Sequence, residues 1–348
     1  MKLQKIFSFF LFMGLSFFVL QTAQADKGWI DVHFHIVGDK GENEGFLEAA
    51  EKTIELMDDH GIEKVIVMSP PRPFQSFDID ELEGIQKKYG ARVAIIGGGG
   101  TLNPMLQKAG HSNEVSQELK KEFEMIAEKI IAKGAKGFGE ITAHHVSLNP
   151  GHGYESVPAN HPLLLLLADI AARHNVPIDL HFDPIPEDME TPSELSSPKN
   201  PAVLKENISA FEELLSHNRK AKIVWAHAGS DPVGFYTPEL VSKLLGKHPN
   251  LYCSIRTTFK RNNPMRHPKH GVNDDWIDVV KEYPDRFVMG TDSFVITPGY
   301  SGPDGPRVFA RHRIQIEGVN EVLSSINSDL ADKIGRTNAI KIYNLTDL

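Results

Sequence analysis

The chain has 348 residues, of which 41% are hydrophobic and 24% charged, a balance that excludes a disordered, collagen-like or multi-span membrane protein. With 46 acidic against 37 basic side chains the formal charge is -9, which argues against a nucleic-acid surface and leaves a small molecule as the expected partner. A single cysteine, Cys253, cannot close an intramolecular disulfide, so stability must come from packing.

At the start of the chain Lys2 and Lys5 precede an apolar run from Ile6 to Leu20, and Ala23-Gln24-Ala25 follows with the small-x-small pattern of signal peptidase sites. As a helix that run would rise only about 22 Å, short of the ~30 Å hydrocarbon core. Residues 1–25 are therefore read as a signal peptide, and 26–348 as one exported domain, periplasmic or secreted, with no anchor after cleavage. A homo-oligomer is compatible with the sequence.

From Trp29 onward, β-rich runs alternate with amphipathic stretches, the pattern of strand, crossover helix and parallel sheet. Strands are expected at 29–34, 63–68, 92–96, 135–141, 177–181, 221–227, 250–255 and 286–291. Helices are expected over Gly45 to His60, Asn113 to Lys133, Pro162 to His174 and Asp274 to Tyr283, with Leu163 to Leu167 as a buried helix face. A last helix, Asp329 to Tyr343, closes the fold. Eight such units predict an α/β fold, the closed (β/α)8 TIM barrel. The longest connections, 142–160, 182–205, 256–273 and 293–304, follow strands 4, 5, 7 and 8, on the face where barrel chemistry takes place.

Strand 1 reads Ile30-Asp31-Val32-His33-Phe34-His35, and a period of two sends His33 and His35 to one side, towards the mouth. The apolar set Ile30, Val32 and Phe34 is expected against the helices. His181 ends strand 5, His227 strand 6 and Asp292 strand 8, so closure would gather all five at one end. Imidazole and carboxylate together suit Zn2+ and related divalent ions. Glu140 ends strand 4 and is either a direct ligand that bridges a second ion or an acceptor for a ligating histidine. Lys136, four residues earlier on the same strand face and so deeper, is either a bridge modified by carbon dioxide or half of an ion pair.

Arg256 ends strand 7 and either clamps a substrate carboxylate or pairs with Asp231 or Asp183. Arg72, His144, His145, Lys260, Arg261 and Tyr300 fall in loops of the same face and read as largely solvated. Gly97 to Gly100 matches neither GxGxxG nor a P-loop, so close chain approach or loop flexibility explains it better than a phosphate site.

His33, His35, His181, His227 and Asp292, in this order along a barrel, resemble the amidohydrolase superfamily over nearly the whole chain after the signal peptide. The phrase from Tyr283 to Asp292 and Asn338-Ala339 are similar to its amidohydrolase-related (amidohydrolase 2) branch, which includes lactonases and nonoxidative decarboxylases. The resemblance implies that His33, His35, His181 and Asp292 bind metal, while His227 joins them or polarises the substrate. Glu140 departs from the decarboxylase pattern and resembles the Gly-x-Glu of two-metal TatD-like deoxyribonucleases, although the acidic charge disfavours DNA. The expected enzyme uses metal-activated water, with Asp292 as proton acceptor, to cleave a small ester, lactone or amide. Nonoxidative decarboxylation is the enzymatic alternative. A periplasmic solute-binding protein is the non-enzymatic one, and it leaves the strand-end ligands unexplained.

Overall fold

A computed structural model describes residues 28–112, 114–148, 153–196, 199–302 and 304–345. The signal-peptide expectation lies outside these residues. Eight strands carry the fold: β1 (Trp29–Val37), β2 (Ile62–Met68), β3 (Val93–Ile95, resumed at Gly97–Gly98), β4 (Phe138–His145), β5 (Pro177–Phe182), β6 (Lys222–Ala228), β7 (Leu251–Ile255) and β8 (Phe287–Met289). Each pairs in parallel with the next, β3 reaching β4 through Gly97 and Gly98. The ring returns on itself where Asp31 of β1 pairs with Met289 of β8, and Ser293–Ile296 continues alongside β1.

The crossover helices are α1 (Asn43–His60), α2 (Ile79–Tyr89), α3 (Gln117–Ala132, preceded by the short Leu102–Ala109), α4 (Pro162–His174), α5 (Ile208–His217), α6 (Pro238–Lys247), α7 (Asp274–Glu282) and α8 (Ala310–Ser324). Local chemistry sets their ends. α4 starts with Pro162 in its first turn, His161 Nδ1 accepting from the Leu163 amide, and stops at Asn175 in the left-handed region. α6 starts at Pro238, where Thr237 Oγ1 accepts from the Leu240 amide.

Two differences from the sequence reading bear on the site. β1 does not alternate strictly: its register on β2 shifts between Asp31 and Phe34. Ile30 and Val32 consequently lie in the barrel interior with Ile66, Ala94, Val224 and Val288, above a plug of Ala339, Ile342 and Tyr343 from the last helix, Asn338–Tyr343. Phe34 lies in the outer core with Phe46. A bulge adds a residue to one strand and turns the residues beyond it, so His33 and His35 reach the mouth although Val32 also points inward. In addition, β4 begins at Phe138 rather than 135 and runs to His145, because His144 and His145 pair with Ser156 and Glu155 in an antiparallel return. Residues 142–145, expected in a loop, are strand.

Candidate metal centre

His33 and His35 are completely buried, and each ring is fixed from behind. His33 Nδ1 donates to Asp179 Oδ2 at 3.2 Å, and His35 Nδ1 donates to the Met68 carbonyl at 3.1 Å. A carbonyl oxygen only accepts, so the proton of neutral His35 sits on Nδ1 and its Nε2 carries a lone pair. Asp179 assigns the same tautomer to His33. The two Nε2 atoms then face each other at 3.1 Å, with Asp292 Oδ1 3.2 Å from His35 Nε2 and Glu140 Oε2 3.5 Å from both. Four electron-rich atoms converge with no hydrogen among them in that state, an arrangement that a cation makes favourable.

A second cluster shares the same glutamate. Glu140 Oε1 lies 2.8 Å from His181 Nδ1 and 3.2 Å from His227 Nε2, which are 3.1 Å from one another. His181 Nε2 faces Asp183 at 3.7 Å. His33, His35 and Glu140, and again Glu140, His181 and His227, form two groups whose donor atoms fit a metal ion, with one Glu140 oxygen in each. The donor set suits a divalent ion of the zinc or manganese type.

The backbone is shaped for this. Gly139 has φ +155°, and a Cβ there would lie 2.7 Å from that of Asp179, so only glycine lets β4 pass β5 closely enough to put Glu140 between the histidines. Among the described residues, five non-glycine positions have positive φ; three are asparagines, for which this is easy, and the other two are His227 and Asp292, at +70° and +54°. Left-handed backbone is uncommon outside glycine, and besides the asparagines it falls here on two residues of the cage.

Charges follow the same geometry. Burial by itself would raise Glu140, but His33, His181 and His227 outweigh it and hold the carboxyl well below its usual range. Burial would lower His33, yet Asp179 and Glu140 hold it well above the ordinary imidazole value; His181, opposed by burial but next to Asp183 and Glu140, is raised to about 10. Desolvation lowers His227 to about 4. Against its burial, Asp292 is held well below the carboxylate range by Arg256, whose Nη2 lies 2.8 Å from Oδ2.

All six proposed ligand residues, His33, His35, Glu140, His181, His227 and Asp292, therefore meet at one end of the barrel. Arg256 contacts Asp292 rather than Asp231 or Asp183: Asp231 accepts from the Val233 and Tyr236 amides, and Asp183 accepts from the Val146 amide. Lys136 does not line the cavity and, among the described residues, has no ion pair. His144 and His145 are buried rather than solvated, His145 with its ring against His181. The sequence reading missed Asp179. Its signal was present, since it sits two residues before His181 and so on the same strand face. It also missed Glu155, which lines the cavity, accepts from Asn103 Nδ2 at 3.2 Å and is raised chiefly by burial; nothing local marks that residue.

The amidohydrolase family model (Amidohydro_2) matches residues 115–345, and the chain belongs to that family. It is a metal-dependent enzyme with the amidohydrolase barrel. Among solved structures it is similar to a 2,6-dihydroxybenzoate decarboxylase from Rhizobium, at 15% identity and TM-score 0.50, covering 92% of this chain and 99% of that one. It is also similar to a triply substituted organophosphorus hydrolase from Deinococcus radiodurans, at 15% identity and TM-score 0.51, with 92% and 94% covered. No curated protein matches the sequence.

Proposed function

We propose that the protein is an exported hydrolase with two divalent ions, zinc foremost, that cleaves a small ester, lactone or amide. The observation that carries this reading is the division of Glu140 between two imidazole pairs, one carboxylate oxygen to each. A divalent ion in such a site supplies Lewis acidity, polarising a carbonyl and lowering the pKa of water from roughly 15.7 towards about 7.

The chain's own groups divide the remaining work. Arg256 holds Asp292 Oδ2, which aims Oδ1 at the cage and keeps the carboxylate ionised. In that state it accepts the proton of the attacking water and returns it to the leaving group. His227 turns Nε2 to Glu140 and His181 and would complete the second ligand group with them. Met68 and Asp179 keep the β1 imidazoles in the tautomer that presents Nε2.

The test is elemental analysis of protein purified without chelator, followed by an ester, lactone and amide panel in oxygen-18 water. Two ions per chain and label in the product support hydrolysis. Carbon dioxide released without label assigns decarboxylation instead.

A further inference from the structure

Above the cage the barrel mouth opens into a cavity of about 510 Å3 whose carboxylates, Glu140, Glu155, Asp183 and Asp292, all have hydrogen-bond or ion-pair partners, whereas most of its basic side chains, Arg72 among them, are in no ion pair among the described residues. Elsewhere on this acidic surface basic side chains are largely paired, as Lys88 is with Glu51, Arg92 with Asp58, Arg173 with Glu124 and Glu128, and Lys247 with Glu212. Arg256, Lys260 and Arg261 from the β7 loop and Arg311 from α8 all line the cavity. Arg256 is held by Asp292. Among the described residues none of Lys260, Arg261 and Arg311 is in an ion pair; Asp183 and Asp292 act on Arg261 only from farther off.

Two details show that this grouping is unfavourable for the chain alone. Arg261 is half-buried, its only hydrogen bond among the described residues a long one to the Lys260 carbonyl, and burial and then the like charges of Arg256 and Arg311 outweigh Asp183 and Asp292 and hold its guanidinium below the ordinary value. Arg311 sits in the first turn of α8, where the helix dipole disfavours a cation; it stacks over Phe309 and its Nε donates to His312 Nε2 at 3.5 Å, but no carboxylate among the described residues pairs with it. Repulsive charges from two separate segments that converge on one cavity are balanced by an anion that enters it.

We propose that Lys260, Arg261 and Arg311 form an oxyanion clamp, so that the substrate is a small molecule carrying, besides the group that reacts at the cage, a terminal carboxylate or phosphate. Planar guanidinium forks match either oxyanion with paired hydrogen bonds. The proposal rests on the hydrolytic reading only in taking the cage as the reacting end.

The experiment is calorimetric titration of the metal-loaded protein with straight dicarboxylates from succinate to adipate, with butyrate as monoanion and 3-phosphonopropionate as the phosphate-like probe. The best dicarboxylate or the phosphonate is expected to bind at least about tenfold more tightly than butyrate, and whichever is tighter identifies the terminal group. Arg261→Gln and Arg311→Gln should each remove most of that preference and leave metal content unchanged. Arg311 is exposed, so its variant keeps the test open should Arg261→Gln fold poorly. Equal affinity for mono- and dianions in the wild type, no binding of any dianion, or a preference that survives Arg311→Gln overturns the clamp. Dianion preference without ester, lactone or amide turnover sinks hydrolysis and leaves the clamp standing. Turnover of such substrates with no dianion preference does the reverse.

Discussion

Two buried carboxylates show how one kind of side chain can either complete a fold or leave it waiting for a ligand. Asp78, before α2, accepts from the Gly98 amide at 3.0 Å to both oxygens, from Ser69 Oγ at 3.2 Å and from Thr101 Oγ1. The glycine run that could have approached an external anion is thus filled by the chain's own carboxylate. Close approach explains those glycines: a Cβ at Gly99 would overlap the Ser69 carbonyl and one at Gly100 the Phe77 carbonyl. Glu140 is as deeply buried, but it faces four imidazoles instead of amides and hydroxyls. Burial outweighs the donors at Asp78 and raises it to about 6, whereas the imidazoles drive Glu140 the other way. Around Asp78 the hydrogens are supplied by the fold; around Glu140 the positive charge must come from outside, as metal or as protons.

The sharpest way to break this contrast is Glu140→Gln. Removing the shared anionic ligand is expected to reduce bound metal from two ions to one or none and turnover by at least about 10²-fold. Unchanged metal content by elemental analysis would make Glu140 a second Asp78. Next comes Asp179→Asn, which frees the His33 tautomer without touching the cage and should weaken metal affinity roughly 10–100-fold in a competitive chelator titration. Asp78→Asn should leave metal content intact and, by turning an amide group towards donors, cost about 1–3 kcal/mol in urea unfolding. The pH dependence of chelator-treated protein tests the same contrast without a substitution. His181 is raised from 6.5 to about 10, so the folded state binds its proton more tightly; that stability is present below about 6.5 and lost as pH rises through about 10. Asp78, raised from 3.8 to about 6, gives a second loss of the same sign between those values. Reloading with metal should abolish the first arm, by displacing the proton, and leave the second, as urea midpoints measured across pH would show.

Periodicity was enough to place the eight strands and to put His181, His227 and Asp292 at their ends, because a parallel strand buried on both faces writes an apolar run into the sequence. The same local rule failed in β1. Alternation put Val32 and His33 on opposite sides, whereas the register shift beside β2 lets Val32 fill the interior and still turns His33 to the mouth. A bulge is a property of the pairing between strands, and no single strand announces it. The length of β4 was similarly decided by its return partner at Glu155–Ser156.

By itself, then, the sequence determined the alternation of strand and helix and which imidazoles and carboxylates would stand at one end of a barrel, since each of these depends on neighbours a few residues away. Only the tertiary structure decided that Glu140 divides its oxygens between two histidine pairs, that Arg256 turns to Asp292, that Asp179 fixes His33, and that Arg261 and Arg311 meet at the mouth. These pairs lie from 36 to 146 residues apart in the chain. Coulomb energy and hydrogen-bond geometry depend on distance in space, and closure of the ring is what sets that distance.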